Sequence, residues 1–354
     1  MPLLSIKEIY RKNEQLPHHT EANIYKYLNY NTEFLTGVKV QQTGNFIRIN
    51  PSYNDPDYMC YDCEFRDDYI SSFYFEDTKA YEDVRVLDKT IIKDKFVSGN
   101  ELITTTTYNY NNAIHLQPTS KSTVFSDGVQ SDTQFKYAHE KGNQLMISKN
   151  MIGIPLETTT TQTIGGVTKT LGKTETIYPT ALPTSQTGTL VLPLSSVSYD
   201  LQNNAPTADI TYDKYDSKGN LLQYTGKDWV STTIIWGYNQ TQPIAKITGA
   251  KLSDISQSLI DSIVSASDTD AAAAPGNDET ALLNALDAFR KDPTLANYQV
   301  TTYSYDPLIG VRSITPPSGI REVYIYDAAN RLKEIREDNQ FGKILKEFKY
   351  NYKN

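Results

Sequence analysis

Two cysteines and four histidines are the side chains of this 354-residue sequence with the readiest chemistry. Cys60 and Cys63 have the spacing of a redox dithiol or of half a zinc site. A redox pair is expected at the start of a helix, whereas this pair lies in an acidic, tyrosine-rich stretch of β type. A zinc site would need two more ligands. Structural thiols or a local disulfide, a metal half-site shared with a partner, and a redox pair stay open as interpretations, and we assign no metal and no cofactor.

The remaining reactive side chains form no catalytic motif. The histidines are His18, His19, His115 and His139. Catalytic triads are assembled in space, so spacing alone does not exclude one, but the sequence has no Gly-x-Ser-x-Gly elbow. Acidic pairs such as Asp67-Asp68 could flank a sugar bond, and the aromatic residues of the stretch 53–75 could stack on sugar rings. We predict that the chain is not an enzyme, and the alternative is a carbohydrate-binding module or carbohydrate-active enzyme that uses residues 53–75.

The composition favours strands and turns. The chain has 26 Tyr, 18 Gly and 16 Pro, and its net charge is −8. An acidic balance argues against nucleic acid as the main partner. No apolar run reaches the roughly 18–20 residues of a membrane helix, and the N-terminus lacks the pattern of a signal peptide. We therefore predict no membrane span, and a cytoplasmic protein if the chain is complete.

A short phrase recurs and organises the C-terminal part of the sequence. It reads Tyr-Asp, two polar or turn residues, Gly or Asn, a basic or polar residue, and then an apolar residue. Copies begin at Tyr215, Tyr305 and Tyr326, and another opens at Tyr350. A period near 20 residues is typical of repeat architectures.

Each copy predicts one β-hairpin. The aspartates, Asp216, Asp306 and Asp327, can accept hydrogen bonds from the backbone two residues on and so start a turn. The residues Gly219, Gly310 and Asn330 can adopt the positive φ of a tight hairpin. Tyrosines repeated at one register are expected to stack across neighbouring strands.

The repeats, together with one further phrase, resemble the YD repeat of the RHS family in its bacteroidete branch. That phrase is Trp236-Gly237-Tyr238-Asn239 followed by Pro243-Ile244-Ala245-Lys246. The sequence departs from the family pattern where Pro316-Pro317-Ser318-Gly319 replaces Asp-Pro-x-Gly, and where Ile309 takes the usual glycine position. The resemblance implies a bacterial, exported protein in which β-hairpins wrap into a shell. Such a shell can enclose a toxic domain or belong to the cell surface.

The periodicity becomes helical between residues 252 and 291. Ile255, Leu259 and Ile263 fall on one helical face, with Ser253 as a predicted N-cap. A second helix is predicted after Asn277 or Asp278 and ends at Arg290-Lys291. Its predicted inward residues are Leu282, Leu283, Leu286 and Phe289. We expect these helices to form an insertion that packs on the sheet or plugs one end of it.

The remaining predictions concern the N-terminal region. We expect a short helix from Ile6 to Asn13, a hairpin turn at Thr43-Gly44-Asn45, and a degenerate repeat copy over 137–145. Further strands are predicted over 84–92, 96–103 and 189–194, with a turn at Gly165-Gly166.

These observations predict a mainly β fold of repeated hairpins, forming a partial shell, with a two-helix insertion. The expected regions are 1–198 with degenerate repeats, 199–251 with the Trp236 phrase, the helical insertion 252–298, and C-terminal repeats 299–354. The predicted function is that of a non-catalytic structural or binding module in a cell-surface or secreted protein, by encapsulation or adhesion. Its expected partners are further repeats, a partner protein or a glycan. A truncated remnant of a longer protein is the other alternative.

Overall fold

A computed structural model describes residues 3–10, 16–28, 35–42, 73–80, 84–96, 99–273, 279–306 and 308–350. The predicted mainly β fold with a helical insertion is confirmed. The chain divides into two compact units. Unit 1 comprises Met1–Asn109 and Thr123–Asp127, and unit 2 comprises Tyr110–Ser122 and Gly128–Asn354.

Unit 1 is built from antiparallel strands. They are β1 (Leu3–Ile9), β2 (His19–Leu28), β3 (Leu35–Gln42), β4 (Phe73–Ala80), β5 (Val84–Lys95) and β6 (Glu101–Asn109). Strand β2 pairs with β1 and β5, β5 pairs with β6, and β3 pairs with β4. A charged contact reinforces the β2–β5 pairing, since Lys26 Nζ lies 2.7 Å from the Asp88 carboxylate.

Two expectations for unit 1 are corrected. The predicted helix from Ile6 is a strand, because Leu3–Ile9 pairs in register with β2 from Tyr25 to His19. Ile6 and Ile9 are both exposed, so they do not form the buried face that a packed helix would need. The strand predicted from residue 96 begins at Glu101 instead, after a turn in which Phe96 N–H bonds to Asn100 O at 2.9 Å. The turn predicted at 43–45 lies outside the described residues.

Strand β7 (Ser120–Val124) has residues in both units, and from β8 onward unit 2 is a meander. Its strands are β8 (Gln130–Lys136), β9 (Glu157–Ile164), β10 (Val167–Ile177), β11 (Ser195–Tyr199), β12 (Pro206–Tyr215), β13 (Leu221–Gly226), β14 (Ser231–Gly237), β15 (Gln242–Thr248), β16 (Gln299–Asp306), β17 (Gly310–Thr315), β18 (Glu322–Tyr326), β19 (Leu332–Glu337) and β20 (Ile344–Glu347). From β8 to β20, each strand pairs antiparallel with the next. Successive hairpins of this kind are what the repeated turn phrase predicts.

Two short helices replace the degenerate repeat expected over 137–145. They are α1 (Ala138–Lys141) and α2 (Gln144–Ser148). The Asn143 side chain accepts from Met146 N–H at 3.1 Å and so caps α2. The strand expected over 189–194 is also absent from this described stretch, where the next strand begins at Ser195. The Gly165-Gly166 turn is confirmed between β9 and β10, with φ of 58° and 81°.

The helical insertion leaves the meander after β15 and returns at β16. Its helices are α3 (Gln257–Ala272) and α4 (Thr280–Arg290). Since β15 and β16 pair directly, the insertion adds a layer without separating the strands. The predicted cap Ser253 lies in a 3₁₀ turn, and Ser256 directly precedes α3. The other predicted caps, Asn277 and Asp278, lie outside the described residues.

The main apolar core of unit 2 lies between these helices and the strands β14 to β16. Its α4 residues Leu282, Leu286 and Phe289 are at most 2% exposed, as expected for one helical face. They pack with Ile263 of α3 and with Ile244 and Ile247 of β15. The insertion is therefore packed on the strands. Among the described residues, no helix is long and apolar enough to span a bilayer.

Candidate functional site

The repeated Tyr-Asp phrases lie at one kind of place, the turn that joins two strands of the meander. Two of these turns are closed by the aspartate in the same way. The Asp216 carboxylate accepts from Lys218 N–H and Asn220 N–H, both at 2.8 Å. The Asp327 carboxylate accepts from Ala329 N–H at 2.8 Å and Arg331 N–H at 3.0 Å. The aspartate thus satisfies turn amides that the strand pairing leaves free.

The residue that follows the positive-φ position also binds the aspartate. Gly219 has φ of 92° and Asn330 has φ of 57°. The next side chains, Asn220 and Arg331, donate to the second carboxylate oxygen of their aspartates at 2.9 and 2.8 Å. The Arg331 guanidinium and the turn amides lower the pKa of Asp327 to about 2. The carboxylate therefore stays ionised and bonded at physiological pH.

The copy at Tyr305 has a different turn, as its sequence departure implies. Asp306 pairs directly with Gly310, and Ile309 N–H bonds to Asp306 O at 3.0 Å. Gly310 has φ of 145°, and a Cβ atom there would lie only 2.9 Å from the Tyr326 hydroxyl. A side chain at this position would therefore displace the tyrosine of the next copy.

An aromatic side chain of each copy is bonded to the backbone of another part of the meander. The hydroxyls of Tyr215, Tyr305, Tyr326 and Tyr350 donate to the carbonyls of Pro193, Pro243, Val311 and Leu332, each at 2.9 Å. Val311 and Leu332 are the apolar residues that follow the turn of the preceding copy. We call these contacts, with the Trp236 contact described next, the aromatic–carbonyl bonds.

Trp236 takes the place of a tyrosine in this series. Its indole N–H donates to Leu221 O at 2.9 Å, and Leu221 is the apolar residue that follows the Asp216 turn. The Trp236 phrase is therefore a repeat copy with a longer turn. Ring contacts are more limited than the tyrosine stacking expected from the sequence. Tyr238 and Tyr305 pack edge to face with centroids 5.6 Å apart.

The turn after Trp236 is held by the end of α3. Tyr238, Asn239 and Gln240 all have positive φ, between 51° and 62°, which costs free energy for residues other than glycine. Tyr238 N–H donates to Ser267 Oγ at 3.2 Å, and Asn239 N–H donates to the Asp268 carboxylate at 2.7 Å. Helix α3 thus compensates for the unfavourable backbone of this turn.

Tyr238 connects the turn to both the helix and the next hairpin. Its side chain is 2% exposed. The hydroxyl donates to the Asp270 carboxylate at 3.0 Å and accepts from Tyr305 N–H at 2.8 Å. Burial, and the Asp270 charge, raise the pKa of Tyr238 well above its usual range. The hydroxyl therefore stays protonated and acts as a fixed connector.

Sequence reasoning missed the α3 residues that bind this turn. Asp268 and Asp270 lie near the C-terminal end of a helix, where negative charge opposes the helix dipole. Unfavourable charges in that position indicate that the side chains have partners elsewhere in the fold. That signal could have connected α3 to the Trp236 phrase before the structure was known.

The structure describes His115, but it does not describe the two cysteines. His115 is buried, and both its ring nitrogens are engaged. Nδ1 accepts from Gln117 N–H at 3.0 Å, and Nε2 lies 3.1 Å from the Glu140 carboxylate. Within the described parts of the chain, no three metal-ligating side chains cluster. Cys60, Cys63 and Asp67-Asp68 lie outside the described residues, and of the stretch 53–75 only the backbone of 73–75, in β4, is described.

The chain resembles solved structures at low sequence identity. No family model matches the chain, and no curated protein matches it. A crystal structure of TcdB2-TccC3 without its hypervariable C-terminal region aligns with 92% of this chain and 16% of that chain, at 8% identity and a TM-score of 0.40. A structure of TcdB2-TccC3 aligns with 73% of this chain and 12% of that one, at 14% identity and a TM-score of 0.32. At these values the similarity identifies neither a family nor a function.

The aromatic–carbonyl bonds make a direct prediction for stability. Tyr326→Phe removes one hydroxyl and leaves Val311 O without its donor, so we expect unit 2 to lose about 1 kcal/mol of unfolding free energy. Tyr303→Phe is the matched control, since the Tyr303 hydroxyl makes no hydrogen bond within the described residues. Urea unfolding followed by tyrosine fluorescence measures both. Equal losses in the two variants would contradict a specific role for the Tyr326 bond.

Proposed function

We propose that the chain is a non-catalytic structural or binding module of an RHS/YD-repeat protein at the cell surface or in the secreted fraction. The observation that carries this proposal is the series of aromatic–carbonyl bonds. Each copy uses its aromatic side chain to donate a hydrogen bond to a backbone carbonyl in another part of the meander. When the characteristic aromatic residues of a repeat are engaged in such bonds, we expect the repeats to form a continuous β-surface.

The chemistry of the repeat residues supports a structural role. Asp216 and Asp327 are occupied by turn amides, and the four tyrosine hydroxyls are occupied by backbone carbonyls. Burial raises the pKa of Tyr305 to about 12, so this hydroxyl remains a donor at neutral pH. Groups held in this way support a scaffold, because their protons and lone pairs are engaged in contacts within the protein.

The same geometry supports a proposal about the partner of the module. Tyr350 follows β20, and its hydroxyl bonds to Leu332 O as the other tyrosines bond to their own acceptors. A further hairpin, from the same protein or from a partner, would extend the meander by repeating this contact. Such an extension would continue a β-surface suited to encapsulation or adhesion.

The proposal is tested in intact cells of the source organism. Antibodies against residues 199–350 would follow the protein through cell fractions and through protease treatment of whole cells. We expect the epitopes in the medium or on the cell surface, in a species heavier than 39.9 kDa. A protease-protected 39.9 kDa species in the soluble cell contents would contradict the proposal.

A further inference from the structure

An acidic side chain of the helical insertion is buried in the β16–β17 hairpin. Glu279 directly precedes α4, has φ of 51°, and is 6% exposed. Its carboxylate accepts from the Ser304 hydroxyl at 2.9 Å. The hydroxyls of Ser304 and Ser313 are bonded to each other at 2.8 Å, and both serines are buried. The start of α4 is therefore held on the hairpin by a carboxyl group inside the protein.

One guanidinium and two further carboxylates face Glu279. Arg312 of β17 supplies the guanidinium, with Nε 3.7 Å from the Glu279 carboxylate and a second nitrogen 4.0 Å from Asp306. Asp306 of β16 and Asp270 of α3 add two carboxylates to the surroundings, and Tyr238 contributes a neutral hydroxyl bonded to Asp270. Glu279 and Asp306 therefore share the Arg312 guanidinium, and Asp270 adds a third carboxylate nearby. Glu279 is the buried member of the three, so its ionisation is the one that places a charge away from water.

The surroundings favour the protonated form of Glu279. Burial raises the pKa of Glu279 to about 7, and the charges of Asp270 and Asp306 act in the same direction. Arg312 and the Ser304 hydroxyl act in the opposite direction but do not cancel the burial. A neutral carboxyl can keep its contact with Ser304 without placing a charge in the core.

We propose that Glu279 is a proton-operated latch, which holds α4 on the β16–β17 hairpin when protonated and weakens that attachment when ionised. The latch would make the helical insertion tightly closed in acid and easier to open at neutral pH. This inference concerns the physical behaviour of unit 2 and does not depend on the cellular role proposed above.

The direction of the pH effect follows from proton linkage. In an opened state the carboxyl group meets water and regains its ordinary pKa of 4.5. Between that pH and about 7, the closed state holds a proton that the open state has lost. The opening equilibrium constant should therefore rise about tenfold per pH unit across this window, by about 300-fold in total, and level off above it.

Hydrogen–deuterium exchange of the full chain tests the latch. Exchange of the α4 amides would be measured from pH 5 to pH 8 and corrected for intrinsic exchange rates. We expect the wild-type opening constant to rise about 70-fold over this range. In Glu279→Gln, which keeps the shape and an acceptor for Ser304, the constant should be independent of pH and lower than wild type at pH 8. The matched control is Glu347→Gln, at an exposed glutamate of β20, which should keep the wild-type pH profile.

A second variant covers the case in which Glu279→Gln does not fold. Arg312→Gln removes the guanidinium and should move the upper end of the pH window to higher pH, which carbon-13 NMR of the Glu279 carboxyl would record directly. Two outcomes would overturn the latch. One is a Glu279 carboxyl that titrates near 4.5 in the folded protein, and the other is a wild-type pH profile in Glu279→Gln.

Discussion

Gly237→Ala is expected to lower the unfolding free energy of unit 2 by about 3 kcal/mol, at the upper end of the usual cost of overpacking. An added Cβ would lie 2.1 Å from Ser267 Oγ and 2.9 Å from two carbon atoms of Ile244. The methyl group can be accommodated only if the Ser267 and Ile244 side chains shift away from the Trp236 turn. Chemical denaturation followed by tryptophan fluorescence would measure the loss, because Trp236 adjoins the site.

Two further variants make this result specific. Gly172→Ala in β10 is the control, since a Cβ there meets no atom within 4 Å and we expect no loss of stability. Ser267→Ala removes the clashing oxygen, so Gly237→Ala should cost less in that background than in the wild type. The same cost in both backgrounds would contradict the clash with Ser267.

Arg290→Met should also destabilise unit 2 by about 3 kcal/mol, through loss of a charged donor to three carbonyls. The Arg290 guanidinium donates to Thr315 O at 2.9 Å, to Pro316 O at 2.6 Å and to Val300 O. These contacts attach the end of α4 to both strands of the β16–β17 hairpin. Thermal unfolding by circular dichroism would measure the effect.

A second substitution separates the effect of the planar guanidinium from the effect of its positive charge. Arg290→Lys keeps the charge but cannot reach three carbonyls with fixed geometry, so we expect it to recover only part of the loss. Lys349→Met is the control for removing a cation from an exposed pair. Its partner is Glu347, and exposed pairs of this kind contribute about 0–1 kcal/mol. Equal losses in Arg290→Met and Lys349→Met would show that Arg290 does not clamp the helix.

Local features of the hairpins were predictable because single residues determine them. An aspartate after the strand, followed by Gly219 or Asn330, indicates a turn without knowledge of any distant contact. Most of the inward face of α4 was equally predictable, since Leu282, Leu286 and Phe289 recur at helical spacing and are buried. Leu283 was also predicted to point inward, but it is half-buried and lies outside the core cluster. The aromatic–carbonyl bonds were not predictable, because their acceptors are backbone oxygens and every residue has one.

The segment 137–145 shows how a local signal was misinterpreted. Its resemblance to a repeat copy concealed two helix signals. The Glu140 side chain accepts from Tyr137 N–H at 3.0 Å, as in a capping box, and Gly142 ends α1 with φ of 68°. A glutamate three residues into a segment, with a glycine two residues after it, therefore favours a short helix over a hairpin.

The most direct test of the scaffold is hydrogen–deuterium exchange on a variant that lacks all four tyrosine hydroxyls. The variant carries phenylalanine at 215, 305, 326 and 350, and its circular dichroism should match that of the wild type. If the aromatic–carbonyl bonds hold the hairpins together, amides of β12 to β19 should lose protection together, while those of α1 and α2 keep theirs. Unchanged protection from β12 to β19 would contradict the account, and the repeated tyrosines would then serve only as apolar packing.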